Sequence, residues 1–261
     1  MRFAGEITEQ DVTERRFDLE VAGETVPGVL WLPEGAAGPR PKVLIGHGGW
    51  QHKRTANVRA LARQLVRHQR YAAVAIDAPG HGDRLTPEQR EQVAEQGRVT
   101  REIQARGGPL SGAGPPADPF PPRFLQGVEE WKATLDAVEE LDEVGAGPTG
   151  YWGVSMGTSI GLPLSVTEPR VTAAVLGLAS LTPRPGRDEY IGWARDLSVP
   201  LLFLSQADDT GHPFELAVEL FDLFGSNQKT MHVNPGPHAG VPPFERAEAE
   251  AFFRRHLGAA S

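Results

Sequence analysis

Apolar residues along this chain fall into short runs of two kinds. Arg15–Val21 and Val26–Leu32 alternate apolar with polar positions on either side of a turn at Ala22-Gly23-Glu24, which predicts a β-hairpin. Lys42–Gly46 (KVLIG) and Tyr71–Asp77 (YAAVAID) are instead continuously apolar and bounded by turn residues, as strands buried on both faces are. Gly150–Val154, Val171–Leu178, Pro200–Ser205 and the shorter Lys229–Val233 read as four more strands. Between them the period changes. Val58, Leu61, Ala62, Leu65 and Val66 share one helical face over about 55–69, and Trp131, Leu135, Val138 and Leu141 share another over 128–144. Further helices are expected from Met156, over Phe214–Phe224 and over Phe244–Leu257. Gly161 and Pro163 predict that the helix from Met156 is short or bent. Strands alternating with helices predict an α/β fold with a mostly parallel sheet covered on both faces.

Two connections are longer than this alternation requires. Residues 84–124 contain a charge-rich run, Arg84–Arg106, expected as a solvated helix. They also contain Gly107–Pro122, too rich in glycine and proline for regular structure. Connections of this length are often lids or binding loops, so 84–124 is expected as a lid-like insertion. Residues 182–198, with Tyr190, Ile191 and Trp193, form a second expected insertion that either lines a pocket or packs for stability.

Composition narrows the function. The chain has 261 residues, 39% hydrophobic and 23% charged, which is enough to bury a core as a single domain over 1–261. A net charge of −8 argues against nucleic-acid or anionic-membrane partners, and the absence of cysteine excludes disulfides and thiolate chemistry. The first residues carry no apolar signal region, and no run approaches the length of a membrane span, so a cytoplasmic protein is expected. Whether the chain forms a homo-oligomer is left open.

Ligands in open α/β sheets bind beyond the carboxyl ends of strands. Three predicted strands end in His47-Gly48-Gly49, in Asp77 to Asp83, and in Gly153-Val154-Ser155-Met156-Gly157. The last fits G-x-S-x-G, with a strand before it and a helix after it. That tight turn lifts a serine above the sheet edge and leaves the N–H of Met156 at a helix N-terminus, facing developing negative charge. The bland alternative is a serine that only caps the helix.

With these features the chain resembles the α/β-hydrolase superfamily, specifically the esterase-like members grouped with dienelactone hydrolases, over nearly its whole length. The resemblance implies an eight-stranded, mostly parallel sheet and a Ser–acid–His triad in that chain order. The nucleophile is then Ser155, and the base is His238, on the loop Asn234-Pro235-Gly236-Pro237-His238 beyond the last predicted strand. His232, inside that strand pattern, is expected to be structural. The acid follows Pro200–Ser205; Asp209 is favoured because Gln206 and Pro213 frame it as related hydrolases frame theirs, with Asp208 as the alternative. The oxyanion hole would take Met156 N–H and a second donor from His47-Gly48-Gly49-Trp50, either Gly49 or Trp50, with His47 bracing the loop.

Other motifs point nowhere. Gly145 to Gly150 fits G-x-G-x-x-G but follows a helix and precedes a strand, the reverse of the dinucleotide arrangement. Neither the pair His47 and His52 nor the pair His81 and Asp83 has a third ligand at a recognised spacing, so neither a metal nor a cofactor is expected. The expected function is therefore a metal-independent serine hydrolase cleaving a small carboxylic ester through an acyl-enzyme. The alternatives are the same triad acting on a thioester, lactone, amide or C–C bond, and a hydrolase-fold binding protein without catalysis.

Overall fold

A computed structural model of the chain describes residues 1–106, 108 and 122–260. Apart from Gly108 and Pro122, the Gly/Pro-rich stretch 107–122 lies outside the described residues, as does that part of the expected 84–124 insertion.

One sheet runs through the chain. Its strands are β1 (Arg2–Glu9), β2 (Val12–Val21), β3 (Glu24–Pro33), β4 (Lys42–Ile45), β5 (Ala72–Ile76), β6 (Thr149–Val154), β7 (Val171–Gly177), β8 (Leu201–Gln206) and β9 (Lys229–Asn234). They lie in the order β1-β2-β3-β5-β4-β6-β7-β8-β9. The first pairings, through β3 with β5, are antiparallel, and every pairing from β5 to β9 is parallel. Among the described residues the sheet thus has nine strands where eight were expected, and the extra one is β1. Nearly all of β1 is exposed, so it carries no apolar alternation. Its turn into β2, Gln10-Asp11, has both residues at positive φ, 51° and 62°, without a glycine to announce it. The β2–β3 turn reaches the same geometry with Ala22 at φ 50° and Gly23 at φ 85°.

Helices cover both faces. α1 (Ala56–Gln69) and α7 (Glu245–Leu257) enclose one core with Val43, Ile45, Ala73 and Val175. α3 (Pro122–Glu139), α4 (Met156–Thr167), α5 (Arg187–Asp196) and α6 (Phe214–Leu223) enclose the other, around Leu44, Tyr151, Leu176 and Phe203. α2 (Pro87–Ala105) forms within the run expected to be helical, and Thr86 caps it in a box with Gln89. α4 continues through Pro163 to Thr167, so the helix is not cut short at the proline. Its residues from Gly157 to Ser165 are buried, and tertiary packing outweighs the missing proline N–H. Gly161 is required there, since a Cβ would lie 1.9 Å from the Tyr151 ring.

Chain order along the sheet positions the site. From β4 the chain goes to β5 on one side, whereas β6 lies on the other. This reversal opens a crevice between the carboxyl ends of β4 and β6, where ligands bind in open α/β sheets.

Candidate active site

Ser155 stands on the turn from β6 into α4 with φ 58° and ψ −121°, a conformation that costs an L-residue roughly 1–3 kcal/mol. The turn is held on every side. Ser155 N donates to Gly177 O at 2.8 Å, and Thr158 Oγ1 donates to Gly177 O at 2.6 Å. Tyr151 O–H donates to Gly157 O at 2.8 Å, and burial raises the pKa of that phenol. A Cβ on Gly157 would sit 3.2 Å from Gly46 O, so a glycine lets α4 approach the loop after β4.

His238 bridges Ser155 and Asp209. Its Nδ1 lies 2.6 Å from Asp209 Oδ2 and its Nε2 lies 2.9 Å from Ser155 Oγ. Burial pushes the Asp209 carboxyl up, but the hydrogen bond from His238, the charges of His238 and His212 and the Gly211 N–H together bring its pKa below the ordinary value. An ionised Asp209 can only accept, so Nδ1 carries the proton and Nε2 is left to accept from the Ser155 hydroxyl. Asp208 does something else. Its Oδ2 accepts from Gly236 N at 2.8 Å and its N–H donates to Gly236 O at 3.2 Å, which ties the β8 loop to the loop bearing His238.

The loop after β4 reaches the same place. Gly49 and Trp50 line a cavity of about 380 Å³ together with Ser155 and His238. Trp50 holds φ 57°, a second strained residue beside Ser155. Met156 begins α4, so its N–H has no acceptor within the helix. His47 braces this loop: Nδ1–H donates to Gly48 O at 2.8 Å and Nε2 accepts from Ala78 N at 3.0 Å. Burial and the neighbouring His81 lower its pKa to about 4, so the ring is neutral at pH 7. Lys53 adds a buried anchor, with Nζ 2.5 Å from Asp77 Oδ2 and 2.7 Å from Asp83 Oδ2.

Among the described residues no group of three or more His, Asp or Glu is placed to hold a metal ion. His81 Nδ1–H donates to Pro79 O at 3.1 Å, and Asp83 pairs with Lys53 and Arg90. His232 pairs with Glu245 at 3.0 Å. In the G-x-G-x-x-G segment Gly147 O accepts from Lys42 Nζ at 3.1 Å. No described helix is long and apolar enough to cross a membrane.

The chain aligns over 98% of its length with all of a cold-adapted esterase from an Arctic intertidal metagenomic library, at 34% identity and a TM-score of 0.77. The chain belongs to the α/β-hydrolase superfamily. Two solved structures share the fold of this α/β-hydrolase at lower identity. An acetyl xylan esterase from Paenibacillus sp. R4 matches 98% of this chain and 88% of its own at 16% identity and a TM-score of 0.72. A dienelactone hydrolase from Anabaena variabilis matches 95% of this chain and 100% of its own at 18% identity and a TM-score of 0.62. No protein-family model and no curated protein matches the chain.

Several residues of this α/β-hydrolase's site carry no sequence motif. His212 stacks on His238 with ring centroids 5.3 Å apart, and its backbone N–H donates to Asp209 Oδ1 at 3.1 Å. Its Nδ1 lies 3.1 Å from Ser180 Oγ, and burial, with the neighbouring His238, lowers its pKa to about 4. Its only sequence signal is a histidine three residues after Asp209. Of the two expected insertions, the first brings Gly97, Thr100, Arg101 and Gln104 of α2 to the cavity. No residue of 182–198 lines it; Tyr190 is buried in the core and Ile191 and Trp193 pack against it.

Proposed function

We propose that this α/β-hydrolase is a carboxylic ester hydrolase that works through an acyl-enzyme, with Ser155 as nucleophile, His238 as base and Asp209 as the orienting acid. The observation that carries the reading is the continuous hydrogen-bonded chain from Asp209 through His238 to Ser155, opening onto the cavity. The esterase at 34% identity over 98% of the chain supports the bond type. Ser155 Oγ attacks the ester carbonyl while His238 Nε2 takes its proton. Asp209 keeps the imidazole in the required tautomer and stabilises the imidazolium without taking the proton. The tetrahedral oxyanion is received by Met156 N–H and by an N–H of the strained loop, Gly49 or Trp50. The imidazolium returns its proton to the leaving alcohol, and water repeats the sequence on the acyl-enzyme. We read α2, the described helix of the expected 84–124 insertion, as a lid over this site.

The test is intact mass after exposure to a fluorophosphonate, with Ser155→Ala as control. A single adduct that maps to Ser155 is expected. Folded protein that takes up no adduct, or takes it up elsewhere, would falsify the nucleophile. Ser155→Ala and His238→Ala are each expected to lower kcat on an activated ester by roughly 10³ or more.

A further inference from the structure

The underside of α2 is unlike that of a helix docked for stability alone. A helix that packs to bury area turns an apolar stripe inward. The positions α2 buries are Gly97, Thr100 and Gln104, while its Val99 is exposed. These three residues follow i, i+3, i+7 spacing on one helical face, and all line the cavity at Ser155. Gly97 brings α2 close against the loop after β4, where a Cβ would lie 2.9 Å from Trp50 Cβ.

Three polar atoms of residues that line this cavity have nothing to bind among the described residues. Thr100 and Gln104 are 2% and 5% exposed, and Thr100 Oγ1, Gln104 Nε2 and Trp50 Nε1 are all buried without a hydrogen-bond partner among the described residues. All three can donate. Glu245, the carboxylate of the cavity lining, makes no hydrogen bond to them; its oxygens accept from Asn234 Nδ2 at 2.8 Å and pair with His232 Nδ1 at 3.0 Å. The part of the lining borne on strands or just past a strand end is apolar, with Trp152, Val154, Leu178 and Leu204. Buried donors that remain unpaired destabilise the folded protein unless an acceptor arrives.

We infer that α2 and Trp50 form a recognition wall selecting esters that carry an uncharged oxygen acceptor, an ether, hydroxyl or keto oxygen, beyond the reacting ester group. This rests on the ester-hydrolase reading above. The substrate oxygen supplies the acceptor the wall lacks. Rotation about χ1 of Thr100 or the terminal torsion of Gln104 turns a donor toward it. The acceptor is uncharged because the buried donors are neutral, and a carboxylate set against them would lose its hydration without a charged partner. The cations of the lining, Arg101 and Arg246, belong to an exposed and a half-buried residue.

Wild type, Thr100→Val, Gln104→Leu and the double variant are assayed on 4-nitrophenyl alkanoates of four to eight carbons. Each ester is paired with a counterpart in which one CH2 is replaced by an ether oxygen. At one or more oxygen positions the ether-to-alkane ratio of kcat/KM is expected to fall about ten-fold from wild type to the double variant. Comparing ratios between proteins removes the difference in intrinsic ester reactivity. A double variant that does not fold leaves the isosteric Thr100→Val, expected to lower the ratio about three-fold. Ratios equal in wild type and variants overturn the wall while leaving the hydrolase reading intact. The same holds if esters with a terminal carboxylate are preferred and that preference survives in the variants. Folded wild type with no Ser155-dependent hydrolysis of any of these esters overturns both.

Discussion

Two neighbouring aspartates at the end of β8 perform different tasks, and substitution separates them. Asp209 accepts from His238 Nδ1 at 2.6 Å and from the N–H groups of Gly211 and His212, whereas Asp208 reaches only the backbone of Gly236 across the two loops. On the proposed mechanism, Asp209→Asn removes the charge that stabilises the imidazolium and makes the wrong ring tautomer available. We expect kcat to fall by about 10³ to 10⁴ in Asp209→Asn, with KM little changed. Asp208→Asn loses at most one charge-assisted hydrogen bond, about 1–3 kcal/mol of stability, and retains most of its turnover. Steady-state kinetics and thermal melting of the two purified variants check this; comparable kcat losses in both would leave the acid unassigned.

At the scale of elements, α4 shows how a residue poor for helices comes to be required. Alanine is favoured over glycine in a helix by about 1 kcal/mol, so Gly161→Ala would stabilise an exposed helix. Here the Tyr151 ring occupies the space of the added methyl, at 1.9 Å, and the same Tyr151 hydroxyl holds Gly157 O in the elbow. Overpacking of a close-packed core costs typically about 1–3 kcal/mol, which exceeds the propensity gain. Gly161→Ala is therefore expected to lower Tm and reduce turnover together, because displacing Tyr151 also releases the turn that presents Ser155. A variant more stable than wild type would mean that the ring moves aside at no cost. α2 shows the same lesson from the polar side. Its amphipathic pattern is weak because its buried positions, Gly97, Thr100 and Gln104, face a cavity and not a core.

At the scale of the whole molecule, two buried neutral histidines couple stability to pH. His47 and His212 each have a pKa lowered from 6.5 to about 4, in both cases first by burial and then by a neighbouring histidine. As pH falls below 6.5 the unfolded chain binds protons at these rings that the folded protein refuses until about pH 4. Stability therefore decreases on acidification across that window, by about 3 kcal/mol per ring at most. Above 6.5 neither ring contributes a slope. Calorimetric Tm values from pH 7.5 down to 4.5 should fall with this sign, and His212→Gln should fall less steeply than wild type. Parallel curves for the two proteins would remove His212 from the account.

Short-range pattern was sufficient for the order of strands and helices, for the G-x-S-x-G elbow and for the α/β class. Those features are written in side-chain period and turn chemistry over a few neighbouring residues. Each of the eight expected strands appears, and the one not expected, β1, is nearly all exposed and turns on Gln10-Asp11, so neither signal was present. Which aspartate meets His238 was a different kind of question. Adjacent side chains leave the backbone in different directions, and the pairing of β8 with β9, from Leu201 with Lys229 to Gln206 with Asn234, sets which one faces the loop beyond. The stacking of His212 on His238, the packing of residues 182–198 against the core and the polar underside of α2 were likewise decided by what lies across space. A sequence carries the local preferences of each segment, but direction and contact arise only when distant segments are brought into register.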